Sequence, residues 1–184
     1  EEYKRPTFEV VFVPVSGTPK LGEEAMVTGV AKGYAGAPLD GAKVKYTVSR
    51  NAMMPWWCGW RWGGLPWGRS TEVASGEATC DAQGKFTVKF TAEADRVFPR
   101  PSDPSLNYVV SASVTDITGE THDASTSLVV GYRSIDLELG INSAIDRSTA
   151  DSALIRVVNL NGQEQPAPFN IRITRLMMPV GGAK

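Results

Sequence analysis

Histidine, cysteine and net charge are what this sequence has least of. Its 184 residues hold one histidine, two cysteines, and 19 basic residues against 20 acidic ones, for a formal net charge of -1. That balance argues against a nucleic-acid binder, which needs a basic surface to exchange for counterions. It argues equally against a module held on a membrane by electrostatics. No apolar run approaches the roughly 18 residues of a spanning helix, so direct membrane insertion is not expected. Two cysteines are too few to build a disulfide scaffold. The chain opens on Glu1-Glu2-Tyr3-Lys4-Arg5-Pro6, with no apolar signal region, and reads as a piece of a longer protein.

The chemistry of catalysis is equally sparse. His122 lies in the polar string "GETHDAST", followed by Asp123 and Ser125. Neighbours on a strand point to opposite faces, so this local sequence makes no nucleophile–base–acid set. The expectation is a surface histidine near a hairpin. Cys58 and Cys80 have no further cysteine or paired histidine to complete a tetrahedral metal site. "DAQG" and "DITGE" lack the alternating oxygen ligands of a calcium loop and read as turns, with Gly84 and Gly119 supplying positive φ. No GxGxxG or GxxxxGK motif occurs. No metal, cofactor or catalytic residue is therefore expected.

What is present is β sequence. Short runs alternate apolar and polar residues between turn signals, and nothing holds a helical period. Phe8, Val10 and Phe12 share a face in "FEVVFVPV", as do Ala25, Val27, Gly29 and Ala31 in "EAMVTGVAKGY". Val44, Tyr46 and Val48 point inward in "AKVKYTVSR", and Phe86, Val88 and Phe90 in "KFTVKFTA". "EVASGEATCD" reads as a weaker edge strand, and "YVVSASVTD" and "ETHDASTSLVVG" complete a set of seven. Each of two sheets has one apolar face to hide, and an antiparallel sandwich is the solution.

From Tyr132 the plan begins again. At an offset of 127 residues, Phe8, Val10 and Phe12 fall on Ile135, Leu137 and Leu139, Val27 on Leu154, and Val44 and Tyr46 on Ile171 and Ile173. Pro38 is echoed by Pro166 and Pro168. A repeat of this length implies tandem modules. The second copy offers three runs, "SIDLELG", "DSALIRVVNL" and "FNIRITRL", a sheet whose inner face has no cover.

All five tryptophans fall between residues 51 and 70, in "NAMMPWWCGWRWGGLPWGRS". Trp56, Cys58, Trp60 and Trp62 share one parity; Trp57 and Arg61 share the other, as does Trp67. The glycines and prolines break any long regular element, so the segment is an excursion between the third and fourth strands. Three readings fit: indoles packed on the sandwich or a neighbouring module with Arg61 on a ring, a recognition surface for sugar or protein, or insertion at a membrane interface. Leaving five indoles wet would exceed what soluble surfaces tolerate. If residues 46–50 and 72–79 are antiparallel neighbours, Cys80 lies about 25 Å along the strands from Cys58. That argues against a Cys58–Cys80 disulfide, whose α-carbons must come within about 7 Å.

The opening "EEYKRPTFEV", Glu1 to Val10, resembles the junction leading into the third macroglobulin domain of the α2-macroglobulin and complement-like family. Together with "YAGAPLDGAKVKYTVSR", "GEATCDAQGKFTVKFTA" and "YVVSASVTDITGETHDASTSLVVG", it looks most like the large, bacterial, Bacteroidetes-type members. The resemblance covers residues 1 to 131, and 132 to 184 more loosely. It implies tandem immunoglobulin-like, macroglobulin-type antiparallel β-sandwiches: a linker at 1–5, a seven-stranded module at 6–131 with its insertion at 51–70, and an incomplete second at 132–184.

It implies further that the parent is an endopeptidase inhibitor that traps proteases. Such a parent would be a cell-envelope protein exported to the periplasm or outer-membrane surface and anchored elsewhere as a lipoprotein. The partners of this stretch would then be neighbouring domains, with proteases as targets of the whole protein. The family's thioester run, Cys-Gly-Glu-Gln-like, has no match: Gly59-Trp60 follows Cys58 and Asp81-Ala82 follows Cys80. The expected role is non-catalytic scaffold. The alternative is a carbohydrate- or protein-binding module of a surface adhesin, using Trp56, Trp57, Trp60, Arg61, Trp62 and Trp67 as its platform.

Overall fold

The computed structural model describes residues 6–15, 17, 19–53, 70–96, 103–141, 152–172 and 174. In chain order the strands are β1 (Phe8–Phe12), β2 (Glu24–Gly33), β3 (Lys43–Met53), β4 (Thr71–Thr79), β5 (Lys85–Thr91), β6 (Ser105–Thr115), β7 (Thr121–Gly131), β8 (Ile135–Gly140) and β9 (Leu154–Asn159). They form an antiparallel sheet β1-β2-β5, an antiparallel sheet β4-β3-β6-β7 and a hairpin β8-β9.

The period-two patterning produces the core directly. Ala25, Val27 and Ala31 of β2 and Phe86, Val88 and Phe90 of β5 are buried against Val44 and Val48 of β3 and Leu106, Tyr108, Val110 and Val114 of β6. Phe8 of β1 and Leu128 and Val130 of β7 close the sides. β4 is the edge strand expected from its weak pattern, and a bulge between Val48 and Ser49 shifts its register on β3. β1 is shorter than the run Phe8 to Val15. The Val13 amide still donates to the Thr28 carbonyl at 2.9 Å, and Pro14, with no N–H, ends the ladder.

The turns are built by aspartate. Asp81 Oδ1 accepts the amides of Gln83 and Lys85 at 2.8 and 2.9 Å, and Gly84 turns the chain at φ +71°. Asp116 Oδ1 accepts the amides of Thr118 and Glu120 at 2.8 and 2.9 Å, with Gly119 between them at φ +86°. The side chains replace backbone partners, which is why Asp-x-x-Gly turns recur before strands here.

The repeat is present as a second hairpin, with one correction. Phe8 stands opposite Gly33, and Ile135 opposite Asn159, so β8 follows β1 by 127 residues but β9 follows β2 by 126. The connection is one residue shorter in the second copy, and a one-residue slip exchanges the two faces of a strand. The residues sharing a face with Ile135, Leu137 and Leu139 are therefore Ile155 and Val157 rather than Leu154.

The third expected strand, from Phe169, is not formed over residues 169–172. Before it the chain turns back along β9 as it does along β2 in the first copy. Val158 bridges Glu164 and the Gln165 amide donates to the Val157 carbonyl at 2.9 Å, matching the Lys32–Pro38 bridge and the Leu39 amide on the Ala31 carbonyl. Residues 166–172, which include Pro166 and Pro168, add no further bridge to β9. Ile135, Leu137 and Leu139 are 42, 50 and 56% exposed, whereas Phe8 in the first copy is 1% exposed. Among the described residues the second hairpin has no covering sheet.

Candidate functional site

Trp56, Trp57, Trp60, Arg61, Trp62 and Trp67, with Cys58, lie outside the described residues. Their root is well placed. β3 runs three residues beyond its pairing with β4, and Met53 there stands opposite Ser105, which stands opposite Gly131 at the end of β7. Two strand spacings, about 10 Å, separate the point where the tryptophan excursion leaves the sheet from the point where the chain enters the second hairpin.

That end of the sandwich is held by Arg50. Its guanidinium donates to the carbonyls of Glu93 and Ala94 at 3.0 and 3.2 Å and pairs with Asp95 Oδ2 at 3.0 Å. The Tyr108 hydroxyl donates to the same Glu93 carbonyl at 2.6 Å. Burial pushes the Tyr108 phenol up to about 12, the carboxylates of Glu93 and Asp95 add to the shift, and Arg50 opposes it. The cluster pins the chain after β5 beneath the base of the insertion. Alternation alone does not single out Arg50 or Tyr108. An arginine at the end of a strand that enters the core is the available signal, since a buried guanidinium demands acceptors.

His122 is not a free surface residue. Its ring stands edge-on to Phe8, with centroids 4.4 Å apart and an interplanar angle of 79°, and Nε2 is 2.8 Å from Glu120 Oε1. Glu120 in turn accepts the Thr7 amide and the Thr7 hydroxyl, both at 2.9 Å. Histidine and glutamate thus fasten the start of β1 to β7. The neighbours of His122 behave as strand geometry requires: Asp123 turns to the outer face and takes the Ser113 hydroxyl.

Lys45, Thr47, Ser111, Ser113, Asp123 and Ser125 line a shallow, open trough of about 520 Å³ on that outer face. Ser125 shares the parity of Asp123 and not of His122, so the sequence trio does not converge. Among the described residues no group of three histidine, cysteine or carboxylate side chains could hold a metal.

Cys80 is buried and its thiol is free. Burial raises its pKa, with the nearby carboxylates of Asp81 and Asp40 adding to the effect, so the thiol is the stable form. Asp116 behaves oppositely. Desolvation works against it, but hydrogen bonds from the Thr118 hydroxyl and the amides of Glu120 and Thr118 hold its carboxyl below the ordinary range.

No family model and no curated protein sequence matches the chain. Solved structures do. Native Escherichia coli α2-macroglobulin matches at a TM-score of 0.55 and 12% identity over 88% of this chain and 11% of that one. The trypsin-activated E. coli protein matches at 0.56 and 14% identity, over 88% of this chain and 12% of its own. Salmonella α2-macroglobulin reacted with methylamine matches at 0.55 and 13% identity, over 90% of this chain and 12% of its own. A match of that span is longer than the first sandwich alone, while the chain covers only 11 to 12% of the length of these proteins. The fold is that of bacterial α2-macroglobulin β-sandwich modules.

Proposed function

We propose that this chain is a non-catalytic structural segment of an α2-macroglobulin-like protease-trapping protein of the bacterial cell envelope. It would be the third macroglobulin-type module and the start of the next. The observation that carries the reading is the match of 88 to 90% of the chain to the E. coli and Salmonella proteins, joined to the "EEYKRPTFEV" junction in the sequence. Its contribution is mechanical: a sandwich with a satisfied core positions other domains that do the trapping. The parent would be exported, with the lipoprotein anchor and the trapping parts outside this stretch.

Trypsin mixed with the full-length parent tests this. A trapping protein retains trypsin in a complex that survives size-exclusion chromatography after limited cleavage of the parent. Digestion without retention would sink the reading.

Trp56, Trp57, Trp60, Trp62 and Trp67, with Arg61, belong on this reading to the packing between modules. The support is the location of their root, about 10 Å from the end of β7 across two strand spacings. Because the chain holds no other tryptophan, its indole fluorescence reports on this segment alone. Packed indoles resist acrylamide quenching in the folded chain and become accessible on denaturation. Free quenching of the native chain would favour the open binding platform of an adhesin.

A further inference from the structure

β7 is an edge strand, so alternate residues point their N–H and C=O groups away from the sheet. At Val129 both groups are taken by one side chain. The Val129 amide donates to Asn161 Oδ1 at 2.8 Å, and Asn161 Nδ2 donates to the Val129 carbonyl at 3.1 Å. A primary amide carries the donor and acceptor that a neighbouring strand would present, and Asn161 stands in for that strand. Two residues on, the Gly131 carbonyl accepts the Leu21 amide at 2.9 Å. The last two outward positions of the edge are therefore closed, one by the first module and one by the turn after β9.

Asn161 is held for this task. Asn159, 2% exposed, accepts the amides of Asn161 and Gln163 on its Oδ1 at 3.0 and 2.9 Å and donates from Nδ2 to Gln163 Oε1 at 2.8 Å. Gly162 completes the turn at φ +78°. Beside the amide, Leu160 lies so close to Gly131 that a Cβ there would stand 2.9 Å from Leu160 Cδ1. Arg133, in the three-residue connector, pairs with Asp103 just before β6. Asp103, Ser105, Gly131, Arg133, Ile135 and Leu160 leave only a narrow crevice of about 70 Å³.

A connector of three residues with ordinary backbone freedom would by itself let two modules swivel. We infer that Asn161 is a clasp that removes this freedom, so that the β8-β9 hairpin and the first sandwich turn as one rigid body. In any rearrangement of a longer parent, bending would then fall at other joints. This holds whether or not the parent traps proteases.

Solution NMR on the 184-residue chain tests the clasp. Residual dipolar couplings from β1–β7 and from β8-β9 should fit one alignment tensor, and Val129 should be protected from amide exchange. Asn161→Ala should speed Val129 exchange about fivefold, the equivalent of two solvent-exposed hydrogen bonds worth about 1 kcal/mol together, and should split the tensor in two. Asn161→Asp keeps the acceptor for the Val129 amide but sets a carboxylate oxygen against the Val129 carbonyl in place of Nδ2, so its Val129 exchange should fall between those of the unmodified chain and Asn161→Ala. Amide shifts of β4, at the opposite edge of its sheet from β7, report that each variant is folded. Two independent tensors in the unmodified chain would overturn the inference without any variant. So would one tensor and unchanged Val129 exchange in Asn161→Ala.

Discussion

The ring of Phe86 lies over Gly29, its directly opposed partner across β2 and β5. A Cβ built at Gly29 would overlap three atoms of the ring, the farthest at 2.8 Å. The glycine is a socket for the phenyl group, which also meets Phe12 edge-on at 5.7 Å. Tyr46 lies over Gly76 in the same manner across β3 and β4. Aromatic cover of a strand glycine compensates for the side chain it lacks.

Gly29→Ala should therefore destabilise the sandwich by about 1 to 3 kcal/mol through overpacking, although alanine is the better strand residue in isolation. Urea unfolding checks it. Phe86→Leu in the same chain should recover part of the loss, because the two side chains compete for one volume and their effects are coupled. Additive losses would show that the clash is not with Phe86.

Arg50 holds three acceptors at once, with its side chain 12% exposed, and its fork matches their geometry. Arg50→Lys retains the charge but cannot reach the Glu93 and Ala94 carbonyls and Asp95 together. A loss of about 1 to 3 kcal/mol is expected from the carbonyls left short of donors. Amide exchange in residues 93–96 should rise with it, while β1 and β2 stay protected. An unchanged urea midpoint would show that the cluster is not structural.

The reach of the sequence is set by which physics is local. Alternation in Ala25 to Ala31 and in Phe86 to Phe90 makes the inward residues of β2 and β5 legible, and the weakness of "EVASGEATCD" makes β4 an edge. Those signals depend only on the period of a strand. The pairing of β9 differs by one residue from the sequence repeat, because a register depends on the length of the connection, which hydrophobic similarity does not measure. A strand from Phe169 rests on apolar spacing alone, and over residues 169–172 that spacing meets no partner strand among the described residues. His122 looks like a surface group in sequence since nothing in "GETHDAST" announces Phe8, 114 residues away in the chain. Arg50, Tyr108 and Asn161 act through backbone carbonyls and amides of distant segments, and such partners leave no mark in side-chain patterns. The tryptophan segment lies outside the described residues, so its reading rests on composition and on where its root stands.

Asp116 offers a pH test at a turn. Its folded pKa is depressed, so its hydrogen bonds contribute stability above the ordinary aspartate value of about 4. That contribution fades as pH falls through the lower, folded value. An NMR titration of the Asp116 carboxyl should show a midpoint below the ordinary one. Thr118→Val removes the hydroxyl donor and should move the midpoint up toward it. If the substitution leaves the midpoint where it was, the hydroxyl is not a cause of the shift.

Tyr108 titrates at the other extreme. Its folded pKa of about 12 lies above the unfolded value of about 10. A raised pKa means that the neutral phenol is favoured in the fold, so its contribution is complete below pH 10 and is lost as pH rises toward 12. Of the five tyrosines, one should ionise last in an ultraviolet difference spectrum of the phenolate band, together with the loss of the β circular dichroism signal. Tyr108→Phe removes the donor to the Glu93 carbonyl and should cost about 1 kcal/mol at neutral pH. The late step should vanish from the spectrum in that variant. Its persistence would assign it to another tyrosine and leave the alkaline limit of the fold to a different group.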